Sequence, residues 1–92
     1  MYLSSMARPL ANLKGPITFL RTELQTGFTL IFIARAAKDK AKLQRNLQNA
    51  RKAYESARHF VGRVQLTAKE AAEVHEKLAA LEAELKKFDS RA

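Results

Sequence analysis

Ninety-two residues suit one small domain that can bury only about 60–65% of its extended-chain surface, and three glycines, two prolines and an excess of helix formers after residue 34 exclude a strand-rich fold. The absence of cysteine excludes a disulfide framework, a thiolate metal site and a thiol nucleophile. The net charge of +8 is uneven: residues 1–63 hold 12 Lys/Arg against 3 carboxylates, residues 64–92 hold 5 against 6, so the basic field belongs to the first two thirds and favours acidic partners.

Residues 1–15 lack the long apolar run of a secretory signal and are expected to form a flexible lead-in, with Met6 as an alternative start. Gly15-Pro16 then punctuates the chain, and proline suits a first helical position because its missing amide costs nothing there. From Ile17 the apolar residues Leu20, Leu24, Phe28, Ile31 and Ala34 step by three and four, which predicts a helix over about 16–37. Phe32 and Ile33 widen its stripe. The β-branched run Phe28–Ala34 also has strand character, but helical spacing continues on both sides of it. Gly27 inside this helix allows a close backbone approach or a kink. Arg21, Glu23 and Arg35 bracket an apolar run of about half the roughly 20 residues a membrane span requires. A membrane is therefore not an expected partner, and a cytoplasmic location is expected.

Asp39 is a suitable N-cap for a second helix over about 40–61, although nothing in Lys38–Lys42 forbids one continuous rod. Compactness favours the break. In this second helix Leu43, Leu47, Ala50, Tyr54, Ala57 and Val61 form the apolar row, and Ala53 and Phe60 add a flanking row that the first helix would have to cover. Gly62 is expected to end the helix in a left-handed conformation. Thr67-Ala-Lys-Glu70 is a capping box and predicts a third helix over about 68–88, with Ala71, Val74, Leu78, Leu81, Leu85 and Phe88 on its apolar face. The short connection makes helices two and three antiparallel neighbours, a hairpin. The fold is read as all-α, a three-helix bundle or a hairpin with an added N-terminal helix, in one domain over 16–92.

The spacing Ala50, Tyr54, Ala57, Gly62 resembles the second helix of a tetratricopeptide repeat, with Gly62 where that family has proline. The resemblance spans about half of one repeat. The three-helix layout also resembles microtubule-interacting-and-transport-type domains and similar small bacterial helical proteins of unknown role.

Two surfaces stand out for function. Phe28, Ile31, Phe32, Ile33 and Phe60 form a candidate apolar interaction surface for a protein partner or a second copy, with a homo-oligomer, most simply a dimer, as the expected state. Arg45, Arg51, Lys52 and Arg58, with His59, form a candidate basic face that could neutralise phosphates of nucleic acid. His59 and His75 stand alone, Glu70, Glu73 and Glu76 are accounted for by the helix dipole, and no catalytic, metal or cofactor site is expected.

Overall fold

The computed structural model describes residues 3–91, with side chains over 15–89, as three helices: α1 (Leu3–Ala36), α2 (Lys40–Val61) and α3 (Ala68–Arg91). The bounds of α2 match the expected ones, and α3 runs three residues further than expected. The start expected at Pro16 is corrected, since α1 already runs from Leu3 through Gly15 and Pro16. Good helix formers (Leu3, Met6, Ala7, Arg8, Leu10, Ala11, Leu13, Lys14) surround the breakers and outweigh the single backbone bond that each proline forgoes. The flexibility expected of 1–15 concerns side chains outside those described.

Local chemistry sets the two turns. Asp39 adopts an extended backbone (φ −101°, ψ 129°) and its carboxylate accepts from the Ala41 amide at 2.8 Å, so the chain breaks there and α2 begins. At the second turn the Glu70 amide donates to the Thr67 hydroxyl at 3.1 Å and the Thr67 amide donates to the Glu70 carboxylate at 3.0 Å, closing the capping box. Gly62 departs from expectation. Its backbone is right-handed (φ −79°, ψ −7°), because the Arg63 amide turns back onto the Phe60 carbonyl at 2.9 Å and the exit needs no positive φ.

One core joins the helices. Leu20, Leu24, Ile31 and Ala34 of α1, Leu47, Ala50 and Ala57 of α2, and Val74, Leu78, Leu81, Leu85 and Phe88 of α3 are all buried in it. At 100° per residue the buried side of α1, from Ile17 to Ala34, covers an arc of about 100°, which is why one helix can serve two neighbours. The most extensive pair is α1 with α2, whose backbones approach each other over the greatest length. Small side chains explain it: Ala50, Ala53 and Ala57 lie on the arc of α2 that leads round to Phe60, whose ring meets Phe19 of α1. The larger Leu78, Leu81, Leu85 and Phe88 hold α3 further off.

At one point α3 nevertheless comes close. A Cβ built on Gly27 would lie 2.6 Å from Leu81 Cδ2, so the fully buried Leu81 sits on bare α1 backbone. Ion pairs flank this contact. The Arg21 guanidinium donates twice to the Glu73 carboxylate, both at 2.8 Å, Arg35 donates to Glu84, and Arg51 of α2 donates to Asp89. Arg21 holds the Glu73 carboxyl well down, to about 2 from an ordinary 4.5, and Arg35, helped by Lys87, lowers Glu84.

Two outcomes are expected. Leu81→Ala should cost about 2–5 kcal/mol in urea unfolding; Gly27→Ala should destabilise the wild type by overpacking yet stabilise the Leu81→Ala background by up to about 1 kcal/mol, where space has opened and alanine is the better helix former. Equal effects in both backgrounds would remove Leu81 from the α1 backbone. Because the folded Glu73 carboxyl lies below its unfolded value, its contribution is present above about pH 4.5 and fades as pH falls toward about 2. The melting-temperature gap between wild type and Glu73→Gln, followed by circular dichroism, should therefore be widest near neutrality and close at pH 2.

Candidate functional site

The expected basic face divides into two rows. Arg45, Lys52 and His59 recur every seven residues on the solvent side of α2, whereas Arg51 and Arg58, about 100° away, lie on the flank turned toward α3. Arg51 is engaged with Asp89, and Arg58 donates to the Glu55 carboxylate from Nε at 3.4 Å and Nη2 at 3.3 Å. Half of the candidate cations are thus committed to carboxylates within the molecule. Arg45 and Lys52 make no ion pair among the described residues. The Glu55–Arg58 pair was readable as an i, i+3 neighbour relation, while the Arg51–Asp89 pair depends on how α3 docks.

The expected apolar surface is also not one surface. Ile31 is 2% exposed and belongs to the core, which corrects its placement on a docking face. Phe28 packs against the same core and Ile33 is half-buried. Phe32 is left 71% exposed. Consecutive residues on a helix turn by 100°, so Ile31, Phe32 and Ile33 cannot share a side, and the run divides into a buried, an exposed and a half-buried position.

Phe60 lies elsewhere. Its ring meets Phe19 edge to face, centroids 4.6 Å apart and planes at 60°, so the row of Ala53 and Phe60 gets the cover it needs from α1. Phe19 is about 20 Å along α1 from Phe32 and about 140° round the helix. Sequence reasoning passed over Phe19 because it falls between the steps of the core stripe. The uncovered row on α2 was the signal that an aromatic on that flank of α1 was required.

Beside this pair opens a cleft of about 500 Å³ lined by Phe19, Lys52, Glu55, Ser56, His59, Phe60 and Arg63. No residue of α3 lines it. Its walls are the two rings and the aliphatic stems of α2, and its rim carries the cations of Lys52 and Arg63. A second hollow of about 550 Å³ lies at the opposite end, between the first turn and Phe88. Arg35 on its edge is engaged by Glu84 and lies over the Phe88 ring at 5.8 Å from its centroid, so little of its charge is free for a ligand.

The remaining polar groups answer to packing. Tyr54 is half-buried and its phenol pKa is raised, chiefly by burial and then by Glu82. His59 and His75 are exposed, and no cluster of three or more His, Cys, Asp or Glu side chains among the described residues could hold a metal ion. No described helix is long and apolar enough to cross a membrane. Comparison of the chain with known protein families, with curated proteins and with solved structures found no match.

The exposed Phe32 and the half-buried Phe60 should respond differently to substitution. Phe32→Gln is expected to shift unfolding free energy by no more than about 0.5 kcal/mol, whereas Phe60→Ala should cost roughly 1–2.5 kcal/mol, about half the value of a fully buried phenylalanine. Chemical denaturation of both variants checks this; equal costs would place Phe32 against the bundle.

Proposed function

We propose that this chain is a non-enzymatic interaction or scaffold module that takes an apolar segment of a protein partner into the cleft between α1 and α2. The observation that carries the reading is the Phe19–Phe60 pair, where a 39%-exposed aromatic lines a cleft of about 500 Å³ on the side that α3 leaves uncovered. A helix laid in a groove between two helices is a common way for such a surface to be used. A second copy is one candidate partner, with the 71%-exposed Phe32 as its most apolar offering. Catalysis has no part in this reading: the groups whose pKa is displaced, Arg21, Glu73, Glu84 and Tyr54, lie outside the cleft, and each answers to an ion pair or to burial.

A second reading, nucleic-acid or acidic-surface binding, draws support from Arg45 and Lys52, two turns apart on one side of α2 and neither in an ion pair among the described residues. The two readings separate on Arg45, which does not line the cleft. A leucine-rich helical peptide added to isotope-labelled protein should move the amide resonances of Phe19, Ser56 and Phe60 and should bind Arg45→Glu as well as wild type. Movement confined to other surfaces would sink the interaction reading; oligonucleotide binding that falls steeply with salt and is lost in Arg45→Glu would replace it. Sedimentation over a concentration series shows whether a second copy is the partner, a salt-insensitive dimer weakened by Phe19→Ala being the positive result.

A further inference from the structure

The cleft is not electrically neutral, and its charge narrows what can occupy it. Of the ionisable side chains that line it, Glu55 is engaged by Arg58, which reaches it from the next turn of α2. Lys52 and Arg63 have no ion pair among the described residues. The lining therefore combines an aromatic floor with two cations on the rim, Lys52 on α2 and Arg63 just beyond it, and His59 between them in the chain. No carboxylate of α3 lines the cleft, and three of the six, Glu73, Glu84 and Asp89, are drawn to Arg21, Arg35 and Arg51.

We infer that the partner of the Phe19–Phe60 cleft is an acidic amphipathic helix, with a bulky apolar side chain in the cleft and carboxylates meeting Lys52 and Arg63. The inference rests on the proposed function and specifies its partner. Complementary charge at the rim selects partners and speeds encounter, while the buried apolar anchor supplies most of the affinity. A second copy of the chain fits poorly, because each copy carries a net charge of +8 and the rims would repel. A nucleic-acid strand fits less well than a helix, because the two rings stand at 60° and give no parallel platforms for successive bases, and because the Glu55 carboxylate lies on the rim.

The test is a displayed library of helical peptides with leucine fixed at i, i+3 and i+7 and the flanking positions randomised among Glu, Gln, Ala and Lys. It is selected in parallel on the whole wild-type chain, on Lys52→Glu/Arg63→Glu, and on Phe19→Ala. Both members of the charge-reversed pair are exposed, so that variant keeps the test valid if Phe19→Ala folds poorly. Glutamate should be enriched over lysine by about tenfold or more on wild type, and the preference should invert on the charge-reversed variant. Leucine-bearing peptides enriched on wild type without any charge preference would overturn the acidic partner and leave the docking cleft standing. No enrichment of wild type over Phe19→Ala would overturn both. Displacement of the selected peptides by an equimolar 12-nucleotide single strand would assign the cations to phosphate instead.

Discussion

The seat of Leu81 on the bare backbone at Gly27 fixes where α3 lies along α1, and the other relations between these helices follow from that height. Arg21 faces Glu73 on one side of the contact and Arg35 faces Glu84 on the other, at nearly the same sequence offset as Gly27 to Leu81. Exposed ion pairs are worth only about 0–1 kcal/mol each, so they do not hold the helix on. They report a register that the apolar contact has already set. A Cβ at position 27 would meet the Leu81 Cδ2 methyl first, so that side chain would have to leave its seat.

That docking geometry also decides which surface stays open. The buried arc of α1 is about 100° wide, and Phe32 and Phe19 each lie about 60° beyond its two edges. Phe32 is on the flank shared with Phe28 and Arg35, toward α3, and Phe19 is on the flank toward α2. The α1–α2 pair comes close because Ala50, Ala53 and Ala57 present little bulk, and Phe60 then reaches across to Phe19. With α3 on the opposite side, nothing within the described bundle covers the far face of those two rings.

Most of the local architecture was legible from the sequence because it is set by neighbours in the chain. The Asp39 cap and the Thr67–Glu70 box each depend on residues no more than three apart, and both formed as read. The all-α fold and the apolar rows of α2 and α3 follow from spacing alone. Gly62 misled because glycine permits a left-handed exit without requiring one, and the backbone bond from Arg63 to Phe60 selected the right-handed turn. Ile31 misled because the five successive apolar residues Leu30–Ala34 must face different directions on a helix, and only packing decides which go inward. The basic face divided for a similar reason: Arg51 and Arg58 differ from Lys52 and His59 by one position, yet that single step of 100° carries Arg51 to Asp89 of α3 and leaves Lys52 facing solvent. Phe19 could be found only by asking what covers Phe60.

Charge and apolar exposure coincide at one end of the bundle and not at the other. Three of the six carboxylates of the last third, Glu73, Glu84 and Asp89, are engaged by Arg21, Arg35 and Arg51, while Lys52 and Arg63, which border the aromatic cleft, have no ion pair among the described residues. Phe32, by contrast, is the overflow of a stripe too wide for its helix to bury, and Arg35 beside it is neutralised by Glu84. An exposed aromatic of that second kind needs no partner to explain it, since isolated apolar side chains are ordinary on protein surfaces. An aromatic pair with a concave space beside it and unneutralised cations around it is a different object: two independent terms, apolar burial and charge complementarity, point to the same occupant.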